Sequence, residues 1–305
     1  MDPQQRCVLE EAAALAQPDV AAGQLTAVAV GIAKLGEPAL VSGASAAATA
    51  AGSSFVGTGR ALSAAAGRLS FVFGLKGASV AVDTACSSSL VALHFVWGAL
   101  GTGDPRGSGA SAGLACGVNL PMNWETSAMF AAAGMMASDG RCKTLDAGAN
   151  GYVRSEACVV VRVEAATAFS RGSVLAAVGA VAINQDGRSS SLTAPHGPSQ
   201  QTVIAAAATA AGLPASDLAA VEMHGTGTAL GDPIEVRSRG VGAGQRQLPL
   251  GEEQLLDEDA AGPVVDAVAL ADEGLAEPAQ QVCLAAAGVA EDEDVLPPPE
   301  ELTVA

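Results

Sequence analysis

Aromatic residues and positive charge are scarce in this chain of 305 residues. Aromatic side chains make up only 3% of the sequence, so the core has to be built from alanine, valine and leucine, which belong to the 50% of residues that are hydrophobic. Fifteen lysines and arginines face 32 acidic residues, which gives a net charge of −17. A surface of that sign repels phosphate backbones and anionic lipid headgroups. The composition therefore argues against nucleic acid and membranes as partners.

Long apolar runs are missing as well. No uninterrupted apolar segment reaches the roughly 18 residues that a membrane span needs. Met1 leads directly into Asp2-Pro3-Gln4-Gln5, which is typical of a helix start, with an acidic N-cap and proline at the first helical position. A signal peptide would instead be basic and then apolar. We therefore expect a non-secreted protein of the cytoplasm or an organelle.

The cysteines lack the spacing of a metal or redox site. None of the six forms a C-x-x-C pair, and none is closely spaced with any of the three histidines. Zinc sites and dithiol motifs both need such spacings. The sequence therefore predicts reduced thiols and no metal centre.

Predicted strands alternate with predicted buried helices along most of the chain. The strands are expected at 25–32, 78–83, 112–118, 157–164, 174–183 and 219–223. The helices are expected at 3–16, 60–74, 86–100, 121–132, 199–211 and 232–238. This alternation is typical of the α/β class.

The last part of the chain differs in composition. Residues 1–236 hold 12 basic and 17 acidic side chains, whereas residues 237–305 hold 3 basic and 15 acidic ones, together with a run of prolines. Such segments do not bury enough apolar surface to fold alone. We expect a folded domain over 1–237 and a loose, disordered, acidic low-complexity tail over 238–305, with one Ala-rich helix near 264–290.

One cysteine stands at the boundary between two kinds of segment. In the run from Ser79 to His94, a β-branched apolar stretch ends at Cys86 and an apolar stretch begins, which predicts a strand, a sharp turn and a buried helix. The free N–H groups and the positive dipole end of a helix favour a thiolate. The sequence therefore predicts a nucleophile. The alternative is that Cys86 is one more small core residue.

A histidine stands at a similar boundary further along. His224 leaves an apolar run and is followed by Gly-Thr-Gly-Thr. The hydroxyls of Thr226 and Thr228 have two interpretations, contact with a ligand or ordinary turn chemistry. Cysteine and histidine together also occur in hydrolases, so that class stays open on residue types alone.

These two segments and six others, in order, resemble the β-ketoacyl synthase (ketosynthase) domains of polyketide and fatty acid synthases, members of the thiolase superfamily. The six others are Asp2–Arg6, Ala66–Ser70 with Gly74–Gly77, Cys142–Ala147, Gly151–Glu156, Asn184–Gly187 and Leu192–Pro195. The resemblance covers roughly residues 1–237. It implies a thiolase-like fold with layers in the order α-β-α-β-α, with Cys86 on the central helix, incomplete at both ends.

The resemblance also implies a reaction. Cys86 would hold an acyl group, and His224 would assist a decarboxylating Claisen condensation with a malonyl unit. Thr226 and Thr228 match hydroxyls beside the channel for the phosphopantetheine arm of an acyl carrier protein. The expected partners are that carrier protein, acyl and malonyl thioesters, and a second copy of the chain, because ketosynthases commonly form homodimers. No bound cofactor is expected.

The sequence departs from the family pattern in one catalytic segment. Ketosynthases carry a second histidine in a Lys-x-Asn-x-Gly-His string, but residues 237–305 contain no histidine, lysine or asparagine. The remaining histidines, His94 and His196, are expected to be a core residue and a loop residue. The alternative function is therefore a catalytically impaired relic or a carrier-protein interaction module.

Overall fold

The structure, a computed structural model, describes residues 1–15, 25–33, 55–100, 109–165, 174–191, 193–213, 218, 221–238, 268–270, 280–286 and 302–304. The described helices are α1 (Pro3–Leu15), α2 (Phe55–Arg60), α3 (Ser63–Phe73), α4 (Ser88–Leu100), α5 (Trp124–Ala132), α6 (Gly197–Ala210) and α7 (Gly231–Ser238). The described strands are β1 (Thr26–Ile32), β2 (Ser79–Val82), β3 (Ala112–Asn119), β4 (Ala157–Ala165), β5 (Ala176–Gln185), β6 (Val268–Leu270), β7 (Gln280–Ala286) and β8 (Leu302–Val304).

The described strands form one mixed sheet in the order β2-β1-β3-β4-β8-β5-β7-β6. β1 runs parallel to both β2 and β3, whereas β3 and β4 are antiparallel. Every residue of β1 is buried, which is typical of a strand that is covered on both faces. The continuous apolar run Thr26–Ile32 therefore explains why this strand lies in the interior.

Three apolar clusters show how the layers are stacked. On one face of β1 and β3, residues such as Val30 and Leu114 pack against α1 and α3. On the other face, α4 inserts Val96 between β1 and β5. β5 in turn packs against Val203 of α6. The single sheet therefore folds around α4, and the layers follow the order helix, β1–β3 part of the sheet, α4, β5 part of the sheet, helix. The predicted layered α/β fold is confirmed.

Glycine lets the first turn of α4 approach the sheet closely. A Cβ atom added to Gly31 of β1 would lie 2.5 Å from the main-chain carbon of Ser88, and one added to Gly117 of β3 would lie 2.6 Å from the Cβ of Ser89. No real side chain tolerates such distances. The two glycines therefore place the start of the central helix directly on β1 and β3.

The elements predicted between residues 3 and 213 all have counterparts in the structure, with ends shifted by up to three residues. Helix α2 was not predicted. The strand predicted at 219–223 is wrong within 221–223, where the structure has no strand, while 219 and 220 lie outside the described residues. Those three residues precede the Gly-Thr turn, and the β pairing among them is limited to a single-residue bridge at Glu222.

Part of the acidic segment forms strands. β7 pairs antiparallel with β5, and β8 bridges the ends of β4 and β5. The Ala-rich helix predicted near 264–290 is therefore wrong within 268–270 and 280–286, because pairing with β5 overrides the helix propensity of alanine. The remainder of 239–305 lies outside the described residues, and the boundary at 237 stays a prediction. None of the described helices is long and apolar enough to cross a membrane.

Candidate active site

Cys86 lies beside a strained turn between β2 and α4. The preceding residue, Ala85, has a left-handed backbone with φ of +56°, which costs a non-glycine residue about 1–2 kcal/mol. The Asp83 carboxylate accepts a hydrogen bond from the Ala85 N–H at 3.1 Å. The Ser88 hydroxyl accepts one from the Thr84 N–H at 2.8 Å. Neighbouring side chains therefore hold the backbone in a sharp bend just before the sulfur, and such strain is found at functional sites.

The helix begins two residues after the thiol, not at it. Ser87 acts as the cap, because its carbonyl accepts hydrogen bonds from the N–H groups of Leu90 and Val91, both at 3.0 Å. The start predicted at residue 86 is therefore wrong, since the left-handed Ala85 delays the helix. Cys86 itself is exposed and lies next to the positive end of the helix dipole.

The described thiols differ in burial and therefore in their reactivity as nucleophiles. Burial raises the pKa of Cys116 to about 12, and burial also raises the pKa of Cys158 to about 11. Both are thiols at neutral pH, and thiols are poor nucleophiles. Among the five cysteines whose side chains are described, Cys86 and Cys142 are the exposed ones.

Cys86 and His224 line the same cavity. Its volume is about 760 Å³, and most of its lining residues are apolar, a size and character suited to a small organic ligand. Thr226 also lines the cavity. Thr228 is not among the lining residues; its hydroxyl accepts a hydrogen bond from the Gly231 N–H at 3.0 Å. The structure therefore brings three of the four predicted site residues together.

The backbone of the His224 loop is held by a buried carboxylate of α7. Glu235 is 8% exposed and accepts hydrogen bonds from the N–H groups of His224 at 2.6 Å and Gly225 at 3.0 Å. The loop folds back over the helix start, which places its N–H groups within reach of Glu235.

A second carboxylate of α7 ties this loop to another one. Asp232 is 3% exposed. One of its oxygens accepts hydrogen bonds from the N–H groups of Gly227 at 3.1 Å and Thr228 at 3.3 Å, which both precede the helix. The other oxygen accepts one from Leu145 N–H at 2.8 Å. Asp232 therefore joins the segments 224–228 and 142–151.

Further contacts fix these two segments against each other. The hydroxyl of Thr144 donates a hydrogen bond to the Gly225 carbonyl, and the Cys142 thiol donates to the same oxygen at 3.5 Å. Gly227 has φ of +65°, and a Cβ atom added there would lie 2.9 Å from the main-chain nitrogen of Lys143. Only glycine fits such a position. The Gly-Thr-Gly-Thr turn is therefore shaped for this packing.

The other two histidines do not line the cavity. His94, on α4, lies 3.3 Å from the Val181 carbonyl through its Nδ1, and burial lowers its pKa. His196 precedes α6 and lies 2.8 Å from the Ser199 hydroxyl. Each therefore has a local structural contact away from Cys86.

Two lining residues had no role in the sequence interpretation. Cys142 and Arg154 both line the cavity. In the sequence they were noted only as parts of two segments that resemble ketosynthase motifs. Their approach to Cys86 depends on how the chain folds, which residue spacing does not reveal. Within the described part of the chain, no group of three or more His, Cys, Asp or Glu residues could hold a metal ion.

Glu235 should make stability depend on pH. Burial raises its pKa, although the N–H groups of Gly225 and His224 oppose that effect. A carboxyl with a raised pKa stabilises the fold below the pKa of the unfolded chain, and this stability is lost as the pH rises through the raised pKa. Glu235→Gln should flatten the pH dependence and cost about 1–3 kcal/mol, because the amide replaces one acceptor by a donor.

Urea unfolding between about pH 4 and 8 measures both effects. Glu222→Gln is the matched control, because Glu222 is exposed and lies at the start of the same segment. A pH profile for Glu235→Gln that coincides with those of wild type and the control would contradict the assigned contact.

Two family models together match most of the chain. The β-ketoacyl synthase N-terminal domain matches residues 1–168, and the β-ketoacyl synthase C-terminal domain matches residues 175–251. The second match extends beyond residue 237, where the matching motifs end.

Curated relatives are polyketide synthases. The chain is 46% identical over 186 residues, 60% of its length, to a component of the phenolphthiocerol/phthiocerol polyketide synthase of Mycobacterium tuberculosis. It is 43% identical over 78% of its length to the spectinabilin polyketide synthase system protein NorA' of Streptomyces orinoci. It is 42% identical over 77% of its length to the erythronolide synthase EryA2 of Saccharopolyspora erythraea. The chain spans 6–8% of these large proteins.

Solved structures agree. The oxazolomycin ketosynthase domain OzmH KS7 of Streptomyces albus JA3453 matches with a TM-score of 0.66 and 32% identity. The ketosynthase from module 6 of the bacillaene synthase of Bacillus subtilis 168 matches with a TM-score of 0.64 and 29% identity. Each match covers 78% of this chain and 40% of the other. On these matches the chain belongs to the β-ketoacyl synthase family, among the ketosynthase domains of polyketide synthases.

Proposed function

We propose that this chain is a ketosynthase-type acyltransferase in which Cys86 carries the acyl group. The observation that supports this most directly is the shared cavity of Cys86 and His224, which is large and mostly apolar. An acyl chain would fill such a cavity, with its thioester carbon beside the sulfur. Histidine in the same cavity provides a proton donor close to the reacting carbonyl.

Acyl loading needs a nucleophile and a site for the oxyanion. The Cys86 thiolate attacks the carbonyl carbon of an incoming thioester, and a tetrahedral intermediate forms. The C–S bond to the delivering thiol then breaks, and that thiol leaves as a thiolate, which takes up a proton. We assign stabilisation of the oxyanion to main-chain N–H groups at the start of α4, that of Cys86 among them.

Condensation adds a second thioester. A malonyl thioester loses CO₂, and the electron pair of the broken C–C bond forms an enolate. The ring N–H of His224 donates a hydrogen bond to the enolate oxygen. The enolate carbon then attacks the acyl carbonyl on Cys86, and the C–S bond breaks to return the thiolate. His224 therefore acts mainly in decarboxylation and Cys86 in both steps.

We assign delivery of both thioesters to the phosphopantetheine arm of an acyl carrier protein. Thr226 lines the cavity, and its hydroxyl lies 3.2 Å from that of Thr228. The pair would offer hydrogen bonds to the amides of the arm. Thr228 would act chiefly through Thr226, because its hydroxyl also accepts the Gly231 N–H.

A second copy of the chain is the other proposed partner. β2 is an edge strand of the described sheet and pairs there only with β1. Close by in sequence, Phe71 of α3 is 88% exposed and Val72 is 52% exposed. An edge strand next to exposed apolar side chains is suited to pairing with another chain.

Intact-protein mass spectrometry tests the proposed function. After incubation with an octanoyl thioester, the full chain should gain the mass of one octanoyl group. Peptide mapping should place that group on Cys86, because the other described thiols are buried, partly buried or, for Cys142, away from the start of α4. Absence of any adduct, or an adduct located elsewhere, would overturn the assignment of Cys86 as the acyl carrier.

A second candidate function is a module that loads or binds acyl chains without condensing them. The observation that favours it is that His94 and His196 lie outside the cavity, so that His224 is the one histidine of the described lining. Decarboxylation would then lack a second histidine that could donate a hydrogen bond to the enolate. An acyl adduct on Cys86 without release of CO₂ from a malonyl thioester would identify this function.

A further inference from the structure

Arg154 is the one permanently charged side chain among the described lining residues of the cavity. It lies in the segment that precedes β4, and it is partly buried. Most of the other lining residues are apolar. A cation in such surroundings is unfavourable unless an anion or a good hydrogen-bond acceptor compensates for the lost water.

Two contacts orient the guanidinium. Its Nη1 donates a hydrogen bond to the Ser127 hydroxyl at 3.2 Å. Its central carbon lies 5.4 Å from the centroid of the Phe130 ring, a cation–π distance. Phe130 is 3% exposed and is itself in contact with the ring of Tyr152, at 6.5 Å between centroids. The guanidinium is therefore oriented by the Ser127 hydroxyl and by the face of the buried Phe130 ring.

Neither contact neutralises the charge. No carboxylate lies within salt-bridge distance of Arg154 in the described part of the chain. A guanidinium has five N–H donors, and one of them is used by Ser127. The group is thus anchored through one nitrogen and one face, which leaves donors for a ligand in the cavity.

We infer that Arg154 is a specificity-determining residue that binds an oxygen atom on the acyl group held by Cys86. This inference rests on the proposed function of Cys86. The ligand class is an acyl chain that carries a hydroxyl or keto oxygen within its apolar length. The cavity supplies the apolar surface for the chain, and Arg154 supplies the permanently charged donor that distinguishes an oxygenated chain from a saturated one.

Two other oxygen sources share this chemistry. One is the phosphate of the carrier arm. The other is the carboxylate of the malonyl unit, but a cation bound to that carboxylate would stabilise the reactant more than the transition state, in which the negative charge leaves the carboxylate. The acyl oxygen is therefore a better ligand for Arg154 than the malonyl carboxylate. Thioesters without phosphate distinguish it from the phosphate of the carrier arm.

The test compares two small thioesters that contain no phosphate and no carboxylate. The N-acetylcysteamine thioesters of octanoic and 3-hydroxyoctanoic acid are incubated with the full chain, and the rate of adduct formation on Cys86 is followed by mass spectrometry. Wild type should load the hydroxylated chain about tenfold faster, as expected for one hydrogen bond to a charged group. Arg154→Met should abolish that preference, so that the two thioesters load at equal rates.

Three further variants sharpen the result. Ser127→Ala removes one anchor and should reduce the preference partly. Arg154→Lys keeps the charge but loses the planar group, and it should also retain only part of the preference. Arg6→Met is the matched control, because Arg6 is an exposed arginine that pairs with Glu10 on α1, and it should retain the full preference.

A binding measurement separates failure of this inference from failure of the proposed function. In a Cys86→Ala background, where no adduct forms, calorimetry should show tighter binding of the hydroxylated thioester, and Arg154→Met should remove the difference. Equal binding of both thioesters by the Cys86→Ala protein overturns the role of Arg154 even if no thioester ever acylates wild type. An Arg154→Met effect seen only with carrier-bound or coenzyme A thioesters would assign the residue to the phosphate and overturn it as well.

Discussion

Replacing Cys86 by alanine should abolish acyl loading, with a fall in rate of at least about 10³-fold. Cys86 lies beside the strained Ala85 turn at the positive end of α4, where a thiolate is favoured. Cys116 and Cys158 cannot replace it at neutral pH, because burial raises their pKa values to about 12 and 11. The acyl adduct measured by intact mass should therefore disappear.

Cys142→Ala is the matched control for this experiment. Cys142 is also exposed and lines the same cavity, but its thiol contacts the Gly225 carbonyl at 3.5 Å and is not next to a helix start. Its loss should leave loading within a few-fold of wild type. If Cys86→Ala still formed an adduct and Cys142→Ala did not, the nucleophile would have been assigned to the wrong thiol.

Replacing His224 by alanine should separate the two half-reactions. Loading depends on the thiolate and the oxyanion site, so it should stay within a few-fold of wild type. Release of CO₂ from a malonyl thioester should fall by about 10²–10³-fold, because the enolate loses a hydrogen-bond donor in a cavity of low polarity. Loading is measured by adduct mass, and decarboxylation by the acetyl thioester formed.

His196→Ala provides the control for this variant. His196 contacts Ser199 and does not line the cavity, so both half-reactions should stay close to wild type. Equal losses of loading and decarboxylation in His224→Ala would indicate that the histidine serves the nucleophile, as in a Cys–His hydrolase, and would argue against its assignment to the enolate.

The sequence was sufficient for the main features of the fold. The alternation of strands and helices predicted the α/β class, and the strand expected at 25–32 is present as β1. The segment 280–286 shows the limit of this approach. Its alanines favour a helix when considered alone, yet it forms β7, because β5 offers an unpaired strand edge. A single-sequence pattern does not contain that partner.

The site could be predicted only in part. Cys86 and His224 were identified from their local context, and the structure places both on one cavity. The contacts of Glu235 with His224 and Gly225 could not be predicted, because they depend on the path of the loop. Arg154 carried no signal of its own in the sequence, since an arginine before a strand is usually solvated. Its position relative to the cavity follows from the packing of Phe130 against Tyr152.

The contacts of Asp232 with Gly227, Thr228 and Leu145 have a consequence for recombination between ketosynthases. A hybrid gene that takes residues 224–238 from one parent and residues 142–151 from another would mismatch the side chains on the two sides of this junction. The inheritable block is therefore discontinuous in sequence. It comprises both loops and α7, and a single crossover keeps that block intact only before residue 142 or after residue 238.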